Sequence, residues 1–370
     1  MASKKKNVRY AVVGLGHIAQ DAVLPSFAQL KNSRLTAFVS DDPEKHKALG
    51  RKYKVENYYN YNQYQELLES GEIDAVYIAL PNHLHKEYTI KAATAGIHVL
   101  CEKPLAVTSA DCQAMSRACS KNGVKLMTAY RLHFQKGNLE AMRALKNKEI
   151  GVPMLFSSTF SMQVRPGNIR TRKAFGGGTL FDIGIYCINA ARYLFEAEPL
   201  EVFAMIEFPS DPRFKEVEGH SVVTLRFPDN RIASFVASFG ASSKAVYTVL
   251  GSKGVLEMEN GYEYSEAMTL KVKIGEKSRT KVFSKSDQFG AEIEYFSDCV
   301  LKNKNPEPSG VEGYIDVKII EALYRSAKTG KSIKLTGLPS KAARPRTNPG
   351  IEKPPFRKPS LINVLSPTMD

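Results

Sequence analysis

The stretch "YAVVGLGHIAQ", residues 10–20, decides the fold of the first part of the chain. It places Gly14, Gly16 and Ala19 in the pattern GxGxxA, between an apolar strand-like run and a helical pattern. A glycine at the first position permits a tight turn, and a glycine at the second lets a pyrophosphate approach the backbone. A small third residue lets the helix pack on the strand, with its N-terminus facing the anion. The motif alone is a weak signal, so its weight depends on the pattern around it.

That pattern is a series of short apolar runs separated by segments of helical length. The runs before residue 130 are "VRYAVVG", "LTAFVS", "DAVYIAL", "IHVLCE" and "VKLMTAY". Such alternation indicates βαβ units with a parallel sheet, and nearly continuous apolar character is typical of strands covered on both faces. We therefore predict an α/β Rossmann domain with a doubly wound parallel sheet over residues 1–130.

The rhythm changes after about residue 150. Longer alternating runs such as "PLEVFAMIEF", "SVVTLRF" and "RIASFVASF" follow one another through short turns. They predict an α+β domain over residues 131–335 with a large, open, predominantly antiparallel sheet. We expect helices near 179–195, 288–302 and 311–328, the last of which could pack back on the first domain.

Residues 336–370 form the third segment. They hold seven of the nineteen prolines and little apolar periodicity, which predicts an extended, basic tail. The tail is either free and disordered or an arm that lies across a neighbouring subunit.

The net charge of +14 does not by itself point to nucleic acid. Three positive charges lie in the first six residues, and the last 35 residues contain six basic and two acidic residues. The remaining charges are interspersed and lack the aromatic interleaving of nucleic-acid binders.

The five cysteines form no CxxC pair and are odd in number, which favours reduced thiols over a disulfide framework or a metal site. No apolar run is long enough to cross a bilayer and no signal-like segment is present, so we expect a cytoplasmic protein without membrane or nucleic-acid partners.

The second strand ends in "FVSDDPEKHK", residues 38–47, where the ribose of a bound adenosine should lie. Asp41 could accept hydrogen bonds from both ribose hydroxyls, which favours NAD(H). Ser40 and Lys45 could instead hold a 2′-phosphate, which favours NADP(H). We favour NADP(H) and keep NAD(H) as the alternative.

Two further strands end in polar loops, "ALPNHLHKEY" at 79–88 and "CEKPLAVTSADC" at 101–112. Ligands bind at the carboxyl ends of parallel strands, so side chains in these loops are candidate site residues. Lys103 is the strongest candidate in these two loops, because a lysine that precedes a proline at a strand end cannot be explained as a polar position of an amphipathic helix. His83 and His85 either reach the nicotinamide or form a helix-start pair satisfied by the nearby backbone, and the second interpretation suits His85 better.

The stretch "FGGGTLFDIGIYCINAARYLF", residues 175–195, carries a glycine run and then a helical pattern. Asp182 and Tyr186 are four residues apart and therefore share one helix face. The glycines would let the chain approach the crevice closely before it turns into the helix.

Taken together, "VVGLGHIAQ", "IALPNHLH", "CEKPLAV" and "GGGTLFDIGIY" resemble the signatures of the glucose–fructose oxidoreductase, inositol dehydrogenase and rhizopine-catabolism protein family. The match covers residues 7 to about 335. "AYRLHFQKGNLEAM" and Tyr186, where inositol-type members typically carry histidine, are most similar to the branch of glucose–fructose oxidoreductases and aldose–aldose oxidoreductases. The resemblance implies hydride transfer from a sugar hydroxyl to nicotinamide, a cis peptide before Pro104, and a homodimer or homotetramer formed through the C-terminal sheet.

The resemblance and the loop positions together assign candidate roles. Tyr186 is the candidate base, with Lys103 as the cation that stabilises its phenolate, although Lys103 could itself carry the proton. The catalytic set is Lys103, Asp182 and Tyr186. The expected substrate contacts are Lys103, Tyr130, Arg131, His133, Arg170, Asp182 and Tyr186. The expected cofactor contacts are Gly14, Gly16, His17, Ile18, Ser40, Asp41, Lys45, Tyr61, Leu80, Pro81, Asn82, His83, His85, Glu102, Lys103 and Arg131.

The resulting functional prediction is oxidation of a glucose-like aldose at C1 to the lactone. Tightly bound NADP(H) could be reoxidised by a second sugar in a ping-pong cycle. One alternative is an ordinary dehydrogenase of another sugar or polyol with freely exchanging cofactor. Another is a non-catalytic regulator on the same fold, but a sensor needs no base beside the nicotinamide, which speaks against it.

Overall fold

The computed structural model describes residues 7–339 and 351–369. A six-stranded, fully parallel sheet organises the first part of the chain. Its strands are β1 (Val8–Val13), β2 (Ser33–Val39), β3 (Asn57–Tyr59), β4 (Ala75–Ile78), β5 (His98–Glu102) and β6 (Leu126–Ala129). The order β3-β2-β1-β4-β5-β6 confirms the predicted Rossmann sheet. Strand β3 is not predicted from the sequence, because three residues are too few to show a strand period.

The helices of this part connect the parallel strands. They are α1 (Leu24–Ser26), α2 (Pro43–Tyr53), α3 (Tyr64–Glu69), α4 (His85–Thr94) and α5 (Ser109–Lys121). A continuous helical stretch over 17–29 contains α1 and begins directly after Gly16. Asp42 caps α2 by accepting hydrogen bonds from the backbone N–H groups of Glu44 and Lys45, and Pro43 occupies the first helical position.

A nine-stranded sheet organises the second part. Its strands are β7 (Pro153–Ser161), β8 (Glu201–Glu207), β9 (His220–Arg226), β10 (Ile232–Ser238), β11 (Lys244–Gly251), β12 (Gly254–Glu259), β13 (Met268–Ile274), β14 (Lys277–Phe283) and β15 (Ile333–Lys334). The order is β14-β13-β12-β11-β7-β10-β9-β8-β15. Neighbouring strands are antiparallel except for β7 and β10, which are parallel. The predicted open, predominantly antiparallel sheet is thus confirmed.

The helices of the second part pack on both sheets. They are α6 (Lys136–Lys146), α7 (Ile185–Leu194), α8 (Gln288–Leu301) and α9 (Gly310–Thr329). Helix α7 packs its isoleucines against Phe156 and Phe235 of the second sheet. Helix α8 instead packs Phe289 and Ile293 into the cluster that includes Tyr10 of β1, so the second part of the chain closes one face of the first sheet. Helix α9 packs against α5.

Two properties of the described residues bear on the sequence analysis. No helix within residues 7–339 and 351–369 combines the length and apolar character needed to span a membrane. All five cysteines lie in this part of the chain, and each is buried and free.

Candidate active site

A crevice of 1030 Å³ lies between the carboxyl ends of the first sheet's strands and the second sheet. Gly16 and Lys103 line it from the first part of the chain, and Tyr186 and Tyr262 line it from the second. Its size is at the upper end for small-molecule sites, which run to about 1,000 Å³, and suits two ligands side by side.

The glycine turn after β1 forms one end of this crevice. Gly14 has φ +93°, and a Cβ on it would meet the carbonyl oxygen of Ala79 at 2.7 Å, so the turn admits no side chain there. A Cβ on Gly16 would meet no atom within 4 Å, and Gly16, His17 and Ile18 all line the crevice. The open space beside Gly16 and the start of the following helix together fit the pyrophosphate of a dinucleotide.

The loop after β2 offers a hydroxyl and an ammonium group to the crevice. Ser40, Lys45 and Tyr61 line it. Asp41 does not, because its carboxylate accepts a hydrogen bond of 2.9 Å from the Tyr61 backbone N–H. The expected cofactor contact of Asp41 is therefore not supported.

The loop after β4 contains both histidines of the sequence analysis, and neither lines the crevice. His85 is fully buried, and its ring nitrogens bond the carbonyl oxygens of Leu80 at 2.8 Å and Pro104 at 2.9 Å. Burial lowers the pKa of His85, the two carbonyl contacts act to raise it, and the ring serves to fix the two loops. His83 is exposed, with its ring 5.2 Å from that of Phe175. The buried position of His85 contradicts its expected cofactor contact, and His83 lies outside the crevice lining.

The rest of this loop does line the crevice. Leu80, Pro81 and Asn82 contribute to its wall. The Asn82 side-chain amide donates a 2.8 Å hydrogen bond to the carbonyl oxygen of Gly176 in the glycine run. This bond ties the first part of the chain to the segment that leads into Asp182.

Lys103 and Asp182 meet at the centre of the crevice. The Lys103–Pro104 peptide is cis, as the resemblance implies. Lys103 Nζ lies 3.0 Å from Asp182 Oδ1 and 2.8 Å from the Asp182 carbonyl oxygen. Arg170 Nε lies 2.6 Å from Asp182 Oδ2. One carboxylate therefore binds two cations.

The charges at this cluster are fixed by their mutual contacts. Burial acts against ionisation of Asp182, but Arg170 and Lys103 outweigh it and lower the pKa of the carboxyl to about 2. Burial likewise acts to lower the pKa of Lys103, but Asp182, together with the smaller effects of Tyr186 and Glu102, raises that pKa above its ordinary value. Both groups are therefore charged at neutral pH.

The local backbone explains how Asp182 reaches Lys103. A Cβ on Gly177 would meet the Arg170 carbonyl oxygen at 2.3 Å, so the glycine run lets this segment pack directly on the Arg170 loop. The helix then begins with a wide π-type turn (Leu180–Gly184) that carries Asp182. Such turns are frequent at functional sites.

Tyr186 lies one helical turn beyond Asp182 and is 7% exposed. Its ring centroid is 4.9 Å from Lys103 Nζ and 5.0 Å from the guanidinium carbon of Arg131. The rings of Phe160 and Tyr262 pack on it at 5.8 and 6.3 Å. Two cations thus flank the tyrosine that lies one helical turn beyond Asp182.

Arg131 lies at the edge of this cluster and lines the crevice. Its guanidinium donates to the Gln288 side-chain oxygen at 2.8 Å and to the Tyr262 carbonyl oxygen at 2.6 Å. Arg131 therefore connects α8 with the loop after β12 while presenting its charge to Tyr186.

The neighbours of Arg131 point elsewhere. The Tyr130 hydroxyl donates to Asp316 at 2.5 Å, and His133 Nε2 lies 3.2 Å from Asn189 Oδ1. Both are buried, neither lines the crevice, and burial lowers the pKa of His133 to about 3. The single 3₁₀ turn Arg131–Phe134 sends adjacent side chains to opposite sides, so the expected substrate contacts of Tyr130 and His133 are corrected.

Below Lys103, Glu102 lines the crevice floor. Its carboxyl accepts a 2.8 Å hydrogen bond from the Tyr77 hydroxyl. Burial raises the pKa of Glu102, and the positive charge of Lys103 acts to lower it without cancelling the rise.

Several aromatic residues that line the crevice are not predicted from the sequence. These are Phe160, Tyr262, Tyr264 and Phe289. Phe160 alternates with outward-facing residues along β7 and cannot be distinguished from a core residue by pattern. Tyr264 donates a 2.8 Å hydrogen bond to Asp21, a contact across 243 residues for which the sequence holds no signal.

Comparisons with known proteins cover both parts of the chain. A model of an oxidoreductase family with an NAD-binding Rossmann fold matches residues 8–130. A model of the Gfo/Idh/MocA C-terminal domain matches residues 138–257. The initials stand for the three founding activities named in the sequence analysis.

Similar individual proteins act on sugars. An aldose–aldose oxidoreductase from Caulobacter crescentus, solved with glycerol, is 37% identical, covers 89% of this chain and all of its own, and superposes with a TM-score of 0.85. A 3-ketoreductase from Actinomadura kijaniata, solved with NADP and TDP-benzene, is 25% identical over 86% of this chain and 98% of its own, with a TM-score of 0.80. A D-xylose 1-dehydrogenase [NADP(+)] from Haloarcula marismortui is 28% identical over 335 residues, 89% of this chain and 93% of that relative.

Proposed function

Because the chain belongs to the Gfo/Idh/MocA oxidoreductase family, whose similar members oxidise or reduce sugars, we propose that it is an NADP(H)-dependent aldose oxidoreductase. The proposed reaction is oxidation of a glucose-like aldose at C1 to the lactone. The observation that carries the proposal is the cluster of Lys103, Asp182 and Tyr186 in the crevice that also contains the glycine turn.

The proposed roles follow from charge and distance. Bound nicotinamide supplies the hydride acceptor. Tyr186 accepts the hydroxyl proton, and the Lys103 ammonium at 4.9 Å from its ring stabilises the phenolate. Asp182 holds Lys103 in place and keeps it charged, with Arg170 on its other oxygen. The raised pKa of Lys103 supports this assignment over one in which Lys103 carries the proton, since a proton acceptor must first be neutral.

The first experiment identifies both ligands. Nucleotide released from the purified protein by denaturation is identified by mass spectrometry, and the native protein is then incubated with a panel of aldoses. We expect NADP(H) and accumulation of an aldonolactone with at least one aldose. Tight nucleotide binding without oxidation of any aldose would favour the non-catalytic regulator instead.

The preference for NADP(H) is testable at Lys45. Lys45→Met is expected to weaken NADP(H) binding about tenfold or more, the scale of a charge-assisted contact, and to leave NAD(H) binding nearly unchanged. Isothermal titration of both nucleotides measures this. Lys47→Met, two residues along α2 and outside the crevice, is the matched control. Equal losses for both nucleotides would contradict a 2′-phosphate contact.

We further propose that the cofactor stays bound and is reoxidised by a second aldose. The likeness to an aldose–aldose oxidoreductase supports this cycle, whereas the likeness to a D-xylose dehydrogenase supports exchange of free cofactor. Consumption of one sugar at the expense of another, without added NADP(H), separates the two.

The outer face of the second sheet supports a homo-oligomer. Met205, Val222 and Val236 pair in register across β8, β9 and β10, and they are 58%, 49% and 38% exposed. Thr159 and Val246 continue the row across β7 and β11. A continuous exposed apolar row marks an interaction surface, and we propose that a second copy of the chain covers it.

A lysine in the middle of this row is expected to separate the subunits. Val222→Lys should reduce the mass measured by light scattering to that of one chain, because the buried ammonium has no partner in the interface. Ile274→Lys, at the far side of the sheet and 41% exposed in the wild type, is the control that should keep the wild-type mass. A wild-type mass for Val222→Lys would contradict this face as the interface.

A further inference from the structure

Residues 351–369, here called the strap, run over the chain's own surface. In the structure of the single chain their contacts are with other parts of that chain, so they do not form a free tail. The expected tail residues 340–350 and 370 lie outside the described part. We propose that the strap closes the dinucleotide crevice, that Lys358 adds a cation for the dinucleotide phosphates, and that cofactor is released only when the strap detaches.

The strap is anchored first beside helix α8. Lys353 is 9% exposed, and its Nζ lies 2.6 Å from a carboxylate oxygen of Glu294. Its carbonyl oxygen accepts a 3.0 Å hydrogen bond from the Asp287 backbone N–H. Ile351 and Phe356 pack against the hydrophobic cluster of the first sheet. Because the lysine is buried and paired with a carboxylate, this end of the strap is firmly attached and is more than a surface contact.

The middle of the strap is held at the glycine turn. Gln20 is 1% exposed, and its side-chain amide forms a two-bond pair with the backbone of Ile362, accepting from its N–H at 2.7 Å and donating to its carbonyl oxygen at 2.9 Å. The same amide donates to the carbonyl oxygen of Leu15 within the turn. The strap is thus coupled to the loop that fits the pyrophosphate.

The next residue reaches the adenosine end. The Asn363 side chain donates to carboxylate oxygens of Asp42 at 3.2 Å and Glu44 at 2.8 Å. These two residues begin helix α2, which also carries Lys45 into the crevice. Asn363 has φ +50°, a conformation that asparagine tolerates better than most residues.

The end of the strap binds the opposite wall. The Arg165 backbone N–H and guanidinium donate to the carbonyl oxygens of Pro367, Ser366 and Thr368 at 2.8–3.1 Å. The Met369 N–H donates to the carbonyl oxygen of Gln163 at 3.0 Å. The strap therefore connects the nucleotide-binding part of the chain with the segment after β7.

Eight residues of the strap line the crevice, among them Phe356, Lys358, Val364 and Leu365 between its anchors. Lys358 is close enough to the glycine turn that its charge contributes to lowering the pKa of His17, after the larger effect of burial. Lys45 and Lys358 thus both line the crevice, and two cations there suit an anionic ligand.

The consequence for the cofactor is retention. A dinucleotide seated between the glycine turn and α2 lies under a segment attached at both walls, so its dissociation requires that the Gln20, Asn363 or Arg165 contacts break first. This inference deepens the proposed function, because a covered cofactor suits reoxidation by a second sugar better than exchange.

The test measures nucleotide release in full-length chains without any sugar. Protein loaded with NADPH is mixed with excess NADP+, and the loss of bound-nicotinamide fluorescence gives the dissociation rate. Ile362→Pro removes the N–H that Gln20 binds, and Asn363→Gly removes two contacts while tolerating positive φ. Together they are expected to speed release about tenfold or more, the scale of one to two net hydrogen bonds.

Lys358 is tested against its neighbour. Lys358→Ala is expected to speed release about threefold at low salt, with the difference from wild type shrinking as added salt screens the charge. Arg357→Ala, exposed and outside the crevice, should leave the rate unchanged. Release from the wild type as fast as from the Ile362→Pro, Asn363→Gly variant would overturn the strap, as would equal effects of Lys358→Ala and Arg357→Ala.

The outcomes separate the strap from the catalytic proposal. If nucleotide release is slow and these variants accelerate it, but no aldose is oxidised, the strap proposal is supported and the proposed function is contradicted. If an aldose is oxidised but release is rapid and unaffected by the variants, the proposed function is supported and the strap proposal is contradicted.

Discussion

Tyr186→Phe is expected to lower kcat for the aldose at least about 100-fold, the range for loss of a positioned general base, while NADP(H) stays bound. The change removes one oxygen and keeps the ring that packs on Phe160 and Tyr262. The stability of the fold and the shape of the crevice should therefore change little. Stopped-flow reduction of bound cofactor, together with the amount of nucleotide that copurifies, measures both expectations.

Tyr262→Phe is the matched control. Tyr262 also lines the crevice, but its hydroxyl lies 2.6 Å from the Ser158 hydroxyl, away from Lys103. Its removal should leave the rate of cofactor reduction near that of the wild type. Near-normal turnover in Tyr186→Phe, or equal losses in the two variants, would remove Tyr186 from the role of base.

Lys103→Met is expected to lower kcat about 1,000-fold, within the range that single acid–base or charge-stabilising groups supply. The variant removes the ammonium at 4.9 Å from the Tyr186 ring and leaves Asp182 bound to Arg170 alone. Lys103→Arg keeps the charge and should recover part of the activity. Steady-state kinetics with the identified aldose, at matched cofactor occupancy, provide the measurement.

The pH profile distinguishes the two roles of Lys103. Because the pKa of Asp182 is about 2 and that of Lys103 is raised, both keep their charges from about pH 5 to pH 9. Neither charge should therefore change the rate between these limits, and any pH dependence that the wild type shows there should persist in Lys103→Met at lower kcat. Loss of that pH dependence in Lys103→Met, with Tyr186 intact, would assign the proton to Lys103.

The parts of the account that could be predicted from sequence are local ones. The glycine pattern at Gly14 and Gly16 follows from turn geometry, and the strand rhythm follows from burial on both faces. The i,i+4 spacing of Asp182 and Tyr186 fixes their common helix face. The parallel pairing of β7 with β10 could not be predicted, because strand order depends on how the chain returns to the sheet after helix α7.

The parts that could not be predicted depend on side-chain direction or on distant contacts. Arg131 and His133 lie in one short turn, and sequence gives no reason why the first enters the crevice and the second faces Asn189. Asp41 turns toward the Tyr61 backbone, a direction set by the loop conformation and not by the residues adjacent to Asp41 in sequence. The pairing of Gln20 with Ile362 joins residues 342 apart and leaves no periodic trace.

The most direct test of the proposed function follows a labelled hydrogen. Protein that retains its NADP+ is mixed with an aldose deuterated only at C1, and the recovered nucleotide is analysed by mass spectrometry. We expect deuterium in the nicotinamide ring and, after addition of a second aldose, transfer of that deuterium to C1 of the corresponding alditol. Oxidised sugar without deuterium in the nucleotide, or deuterium recovered only from a sugar labelled at another carbon, would contradict oxidation at C1.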